Sequence, residues 1–453
     1  MNQVNSQYNR MTKTPIPKLI ITLSIPTILS MMATNIYNLV DTAFVGTLGT
    51  SASGAVGVVF GFMSILQAVG FMCGQGSGSM ISRKLGQKNT EEASRIASTG
   101  FFLSFSIAVV ISIVCFILVR PLVYLLGSTT TIEPYAVTYI RCILATAPFM
   151  VSSFTLNNIL RYEGKAKLGM IGLLAGGVIN IGGDALFMFG MNMGIFGAGL
   201  STAISQVISF CILLSMFIFG RTQTKISIKH VAFRERVIGD IMLTGFPSLI
   251  RQGLSSLSTI VINFEAAGYA GDSGVAAMSI VSRCSFFLFA IALGIGQGFQ
   301  PVCGFNYGAA KYKRLRSAYQ FTMLSSSLVL LVLTIVTMLF SGEIVQVFRD
   351  DPEVIEIGTR ALRLLCIGQL FLPICMVTEM LMQASGRKGS AAILSSLRGG
   401  LIFIPLLIVL PLFRGMYGVE EAQPLAFVLS SIPAILLAKR YFAGLPNEDM
   451  PDD

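Results

Sequence analysis

Apolar residues run through the chain in twelve stretches, near 19–43, 54–81, 98–119, 136–160, 169–189, 195–219, 239–264, 275–303, 318–340, 357–384, 391–412 and 424–441. Each approaches or exceeds the roughly 20 residues that a helix needs to cross a bilayer. None alternates as a barrel strand does, so helices are the remaining way to satisfy the backbone in lipid. The pattern predicts an all-α polytopic membrane protein with twelve transmembrane helices, called spans 1–12 below.

The polar residues inside these stretches fall on faces. Span 1 carries Thr34, Tyr37, Asn38 and Asp41 at three- and four-residue steps, which is one side of a helix. Span 5 carries Gly172, Gly176, Asn180 and Asp184 at four-residue steps, so two glycines that admit a neighbouring helix share a face with an amide and a carboxylate. A carboxylate inside a membrane is costly and usually faces a bundle interior or an aqueous cavity.

The pattern then repeats. SIPTILSMMATNIYNLVDTAFVGTLG, from Ser24, is matched from Phe246 by FPSLIRQGLSSLSTIVINFEAAGYAG: an early proline, a Ser/Thr-studded middle, a late acid and a G-x-x-G ending. A constant shift of 222 residues places Gly46 on Gly268, Gly49 on Gly271, Gly74-Gln75-Gly76 on Gly296-Gln297-Gly298, Gly86 on Gly308, Arg141 on Arg363 and Gly164 on Gly386. This is a tandem duplication. It predicts two pseudo-symmetric six-helix lobes, residues 1–220 and 241–453, joined by a linker at 221–240. Six spans is an even number, so both copies insert the same way round, related by an axis along the membrane normal.

Lysine and arginine concentrate at the N-terminus and in the connections after spans 2, 4, 6, 8, 10 and 12, whereas the opposite connections hold Arg120, Arg349 and Arg414. Both termini are therefore expected in the cytoplasm, with the protein in the plasma (inner) membrane. The basic connections 82–95 and 304–316 are expected as short amphipathic helices on the anionic leaflet. Composition agrees: of 453 residues 53% are hydrophobic and 12% charged, against roughly 25% charged in soluble domains. The net charge of +10 is spent in short inter-span segments, which argues against a nucleic-acid partner. The eight cysteines lie in apolar runs without a C-x-x-C pair and indicate neither a disulfide framework nor a zinc site. No cofactor is called for, and no obligate protein partner is evident.

Measured from Lys18 and Lys167 at about 1.5 Å per residue, Asp41 lies about 35 Å and Asp184 about 25 Å along their helices, both in the outer half of the membrane. Thr202 and Gln206 of span 6 and Tyr139 of span 4 reach similar depth. Two carboxyls kept from water repel one another unless a proton or a hard cation such as sodium sits with them, and Asp41, Asn180 and Asp184 supply oxygens for either. The second copy has no match for Asn180 and Asp184. Its acids are Glu265 and Glu379, the latter opposite Asn157 at the common shift, and each is either a substrate-side acid or half of an ion pair with an arginine such as Arg251 or Arg283.

Pro26 and Asp41, GQGSGSMISRKLG at 74–86, APF at 147–149, INIGGDALFMFGMNMGIFGAGLSTAIS at 179–205 and QASG at 383–386 together make the chain similar to the multidrug and toxic compound extrusion (MATE) family of cation-coupled antiporters. The resemblance covers essentially the whole chain. It implies an N-lobe cation site at Asp41, Asn180 and Asp184 with Tyr139, Asn157 and Thr202 nearby, and a C-lobe acid at Glu265. It also implies export of amphipathic, cationic organic compounds such as drugs against protons or sodium. GVEEAQPLAF at 418–427 departs from the family pattern, because two glutamates stand where the start of span 12 should be apolar. A rival is a lipid-linked precursor flippase of the same superfamily, for which more cavity arginines are expected. An intramembrane aspartyl protease is more remote: Asp184 follows Ile181-Gly182-Gly183 and not G-x-G-D. The chain is expected to be a transporter of small molecules across the bilayer and not an enzyme.

Overall fold

The computed structural model describes residues 2–232, 235–446 and 448–449; Arg234 of the linker and residues 450–453 of the acidic tail lie outside them. Among the described residues there are helices and no strands. Ten helical segments are long and apolar enough to cross a bilayer. One of them, Arg236–Gly308, breaks at Ala270–Gly271 and is spans 7 and 8 in succession. Pro352–Gln369 and Leu372–Ala384, bent by 47°, make span 10 and bring the number to twelve. The remaining spans are Ile16–Gly46, Thr50–Gly86, Thr90–Ile117, Glu133–Tyr162, Ala166–Gly190, Gly194–Ile218, Tyr312–Leu339, Lys388–Arg414 and Met416–Ala443.

Two of the sequence expectations are corrected. The basic connections after spans 2 and 8 are tight turns: one helix ends at Gly86 and the next starts at Thr90, one ends at Gly308 and the next at Tyr312. Asn89 caps span 3 by accepting from the Glu92 N–H at 3.0 Å, so the chain turns without a surface helix. Span 12 starts at Met416 and not near 424. Its glutamates are neutralised: Arg360 of span 10 forks onto Glu420 at 2.6 and 2.7 Å and lies over the Tyr417 ring at 4.1 Å, while Arg414 reaches Glu421 at 2.9 Å.

The duplication is written in the backbone. Left-handed residues recur at the 222-residue shift: Gly49 (φ 114°) with Gly271 (φ 55°), Lys88 (58°) with Ala310 (54°), and Gly164 (78°) with Gly386 (83°). The same turns are therefore built twice.

The helices fall into two compact units, one of Met1–Met11 and Leu29–Leu249, the other of Thr12–Ile28 and Ile250–Asp453. Relative to a cut at the linker, the first halves of spans 1 and 7 change places, each dividing close to a proline, Pro26 or Pro247. In the first unit, span 2 seats on span 4 through glycine. A Cβ on Gly74 would stand 2.7 Å from Asn158 Cβ, and one on Gly70 would stand 2.9 Å from Val151 O. Span 2 also receives the first half of span 7, where Gly76 and Gly245 let backbones meet: a Cβ on Gly245 would fall 1.8 Å from Met72 O. In the second unit the shifted residues do the same work, Gly296 against Met380 of span 10 and Gly298 against Ser24 of the first half of span 1. The repeated G-Q-G motif is thus a packing device for close helix approach.

The linker is strapped down. Its Gln223 and Thr224 N–H groups donate to the carboxylate of buried Glu163 at 2.9 and 3.1 Å, joined by the Thr224 hydroxyl. Lys225, Ser227 and Ala232 N–H groups donate to Ser94, Ser98 and Thr99 of span 3 at 3.0–3.1 Å. The N-terminal helix Asn2–Lys13 adds a bond from Gln7 Nε2 to Glu163 O at 2.9 Å and buries Tyr8 and Met11.

Candidate functional site: a buried carboxyl pair in the first unit

Span 5 lays its glycine face on span 6. A Cβ on Gly172 would meet Leu213 at 2.5 Å and one on Gly176 would meet Ser209 at 3.0 Å, and Ser209 Oγ donates to Gly172 O at 3.0 Å. The antiparallel run continues to Asn180, whose Nδ2 donates to Thr202 Oγ1 at 3.3 Å and to Ser201 Oγ at 3.4 Å. Ser201 Oγ returns a bond to Asn180 O at 2.8 Å. Asp184, one turn further, is fully buried and opens a π-helical turn at Ala185–Gly190, a widened geometry that recurs at functional positions.

Span 1 brings Asp41 to this place. Asp41 joins the same buried cluster, linked through Tyr139 and Thr202 to Asn180 of span 5. Tyr139 of span 4, 1% exposed, donates from its hydroxyl to Asp41 Oδ2 at 3.4 Å and stands 3.5 Å from Thr202 Oγ1. Five of the residues expected from sequence, Asp41, Tyr139, Asn180, Asp184 and Thr202, therefore converge. They are all buried.

The donors are too few for the acceptors. Asp41 Oδ1, both oxygens of Asp184 and Asn180 Oδ1 are buried and, among the described residues, receive no hydrogen bond. Ser201 gives its hydroxyl proton to the Asn180 carbonyl. Buried oxygens without donors are expensive. Four of them around two carboxyls form a place for a proton or for a small hard cation, which takes oxygen ligands.

The other candidates sit elsewhere. Gln206 lies one turn along span 6 from Thr202, and the Tyr37 ring packs on Gly177 of span 5. Asn157 packs against Gly169 near the opposite end of span 5, so it is not part of the cluster. Glu265 is half-buried on span 7 and, among the described residues, has no ion pair. Glu379 is fully engaged: its carboxylate holds Arg251, with the two side chains 1% and 5% exposed. Ser201 is the member that sequence reasoning missed. Its signal was its position beside Thr202, on the turn that faces Asn180.

The comparisons with known proteins agree with this architecture. The MatE family model matches residues 26–186 and 247–409, one match in each copy of the repeat. The multidrug export protein MepA of Staphylococcus saprophyticus is 24% identical over 415 residues, 91% of either chain, and that of Staphylococcus haemolyticus is 26% identical over 397 residues, 87% of either chain. Among solved structures, a MATE protein in complex with MaL6 superposes with a TM-score of 0.91 at 25% identity, covering 96% of this chain and 98% of that one. A multidrug resistance MATE transporter of the MOP superfamily in an outward-facing conformation gives 0.90 at 25% identity, covering 96% and 97%. With the family model matched across both lobes and multidrug exporters aligned from end to end, the chain belongs to the MATE family of membrane transporters.

Proposed function

We propose that this transporter exports amphipathic organic compounds in exchange for a proton or a sodium ion bound at Asp41, Asp184 and Asn180. The observation that carries the reading is the set of four buried oxygens without donors around the two carboxyls. A coupling cation at that place favours one conformation and a substrate the other, since a ligand moves an equilibrium only through differential affinity. Tyr139 and Thr202, from two further helices, hold Asp41 and Asn180 in position.

Half-buried Glu265, without an ion pair among the described residues, supports cationic compounds as one substrate class. The multidrug export names of the relatives support breadth of substrate. The excess of lysine and arginine at one end of the bundle supports an orientation with both termini in the cytoplasm. The transport cycle uses no cofactor and breaks no covalent bond, so the chain is a carrier and not an enzyme.

The test is export of a fluorescent organic cation from reconstituted vesicles, with proton and sodium gradients imposed separately. Export driven by one gradient, and lost in Asp41→Asn and Asp184→Asn, is the expected result. Export indifferent to both gradients, or unchanged in both variants, overturns the reading.

A further inference from the structure

Inside the second unit, spans 7, 8, 10 and 11 gather Arg251, Phe289, Glu379 and Arg398. Arg398 lies about 15 Å along span 11 from Lys388, and Arg251 about 22 Å along span 7 from Arg236, which is deep in the bilayer and below the reach of lipid headgroups. The charges there do not cancel. Glu379 is held by Arg251, and Arg398, whose neighbours Gly399 and Gly400 pack on Ser258 and Leu254 of span 7, adds a second guanidinium.

Arg398 is 8% exposed, and among the described residues its guanidinium makes no hydrogen bond and no ion pair. It lies over the face of Phe289, with the ring centroid 5.0 Å away. A buried cation that forms no ion pair of its own is costly in a membrane. Its direction is nevertheless set by tight packing: Arg398 sits in a π-helical turn, Leu397–Leu401. Ser258 Oγ of span 7 donates to Gly399 O at 2.7 Å, and a Cβ on Gly400 would fall 2.7 Å from Leu254 Cδ1. The fold thus holds an arginine in the membrane interior with its fork of donors unused.

We propose that Arg398, beside the Arg251–Glu379 pair and against the face of Phe289, binds the carboxylate of an aromatic compound, so that the compounds this transporter handles include aromatic carboxylic acids. A guanidinium fork matches a carboxylate in geometry and charge, and a phenyl face suits the ring attached to it. The step from binding to transport rests on the export reading above; the site itself does not.

Binding of 1-naphthoate and of its neutral isostere 1-naphthamide to the purified full chain is measured by titration calorimetry. The parent is expected to bind naphthoate about tenfold or more tightly than naphthamide, the usual reach of a charge-assisted pair. Arg398→Gln abolishes that preference and leaves naphthamide affinity within about twofold, and Arg398→Lys retains part of it. The ligand-free Arg398→Gln protein is as heat-stable as the parent or more so, because it loses a lone buried charge; an arginine kept for structure would give the opposite. Equal affinity of the parent for the two probes, equal loss of both in Arg398→Gln, or a clear loss of ligand-free stability in both Arg398 variants overturns the site. Selective naphthoate binding together with the absence of any gradient-driven export upholds the site and overturns the export reading.

Discussion

Replacing Glu379 by Gln tests whether its carboxylate serves the fold. The side chains of Glu379 and Arg251 are 1% and 5% exposed, and removing one partner of such a pair costs about 3–5 kcal/mol. Arg398 makes the cost unequal between the partners. Glu379→Gln leaves two buried guanidiniums and no carboxylate, and the full penalty is expected. Arg251→Met leaves Glu379 with Arg398 still in electrostatic reach, so the cluster becomes neutral and the loss falls to about 1–3 kcal/mol, the scale of a missing hydrogen-bond partner. Arg251→Met combined with Glu379→Leu should recover most of the stability, since apolar replacement of a buried pair is often neutral. Thermal unfolding of the purified variants, read by reaction of Cys375 with a thiol dye, reports on the right place: Cys375 is 2% exposed and one turn from Glu379. A loss of 3 kcal/mol changes the unfolding equilibrium about 150-fold, well above the noise of such an assay. The reasoning fails if Glu379→Gln is as stable as the parent, or if Arg251→Met costs more than Glu379→Gln. Either result would return the Glu379 carboxylate to the transport cycle.

Asp41→Asn and Asp184→Asn should each abolish gradient-driven export while leaving substrate binding within about tenfold, and the double variant should add little because the pair acts as a unit; loss of substrate binding in either single variant would reassign that carboxyl to the substrate. Burial of Glu163 pushes its carboxyl above the ordinary range, against the hydrogen bonds from the linker that pull it down. The folded protein therefore holds this proton more tightly than the unfolded chain, so the Glu163 contribution to stability is present below the unfolded Glu value and is lost as pH rises through the folded one. Thermal unfolding across that window should fall with pH in the parent and be flatter in Glu163→Gln; identical slopes would show that burial does not govern this group. Gly245→Ala should destabilise by about 1–3 kcal/mol or more, because its Cβ would fall 1.8 Å from the Met72 carbonyl oxygen, which is backbone and cannot move aside. Gly182→Ala, with nothing within 4 Å, should be neutral or stabilising by about 0.5–1 kcal/mol, and unfolding curves of the pair that coincide would refute close helix approach at Gly245.

The spans, the duplication and the carboxyl cluster were legible in the sequence for one physical reason: lipid makes polar residues expensive, so each one in an apolar run carries information. Asp41, Asn180 and Asp184 stood out as a polar stripe, and the structure joins them. Ser201 did not, because serine is common in membrane helices and its role depends on the rotation of span 6 against span 5. Asn157 was drawn in by its amide, yet its neighbour is Gly169, a fact set by the register of spans 4 and 5. The start of span 12 was obscured because Glu420 looks intolerable in a span until Arg360, 60 residues earlier, is seen to neutralise it. The exchange of half-helices between the units leaves no periodic signal. It is visible only afterwards, in the glycines at 76, 245 and 298 that let backbones touch.

What the two copies share and what they do not share have separate causes. The left-handed turns and the glycine contacts are constraints on the backbone, and a substitution there meets a clash wherever it occurs, so both copies keep them. The buried charges meet no such constraint, because a side chain can change sign while the helix carrying it stays in place. In the first copy span 5 places Asp184 at the head of a π-helical turn, in the same buried cluster as Asp41. In the second, span 11 places Arg398 inside a π-helical turn, within reach of the Arg251–Glu379 pair. One unit therefore buries two acids, three of whose four oxygens lack donors, and the other buries an arginine set against the face of Phe289. The two copies thus keep one scaffold while these buried clusters differ in charge, two acids at Asp41 and Asp184 in one and the Arg251–Glu379 pair with Arg398 in the other. On the two proposals above, the coupling ion and an anionic substrate group would occupy different copies of the duplication.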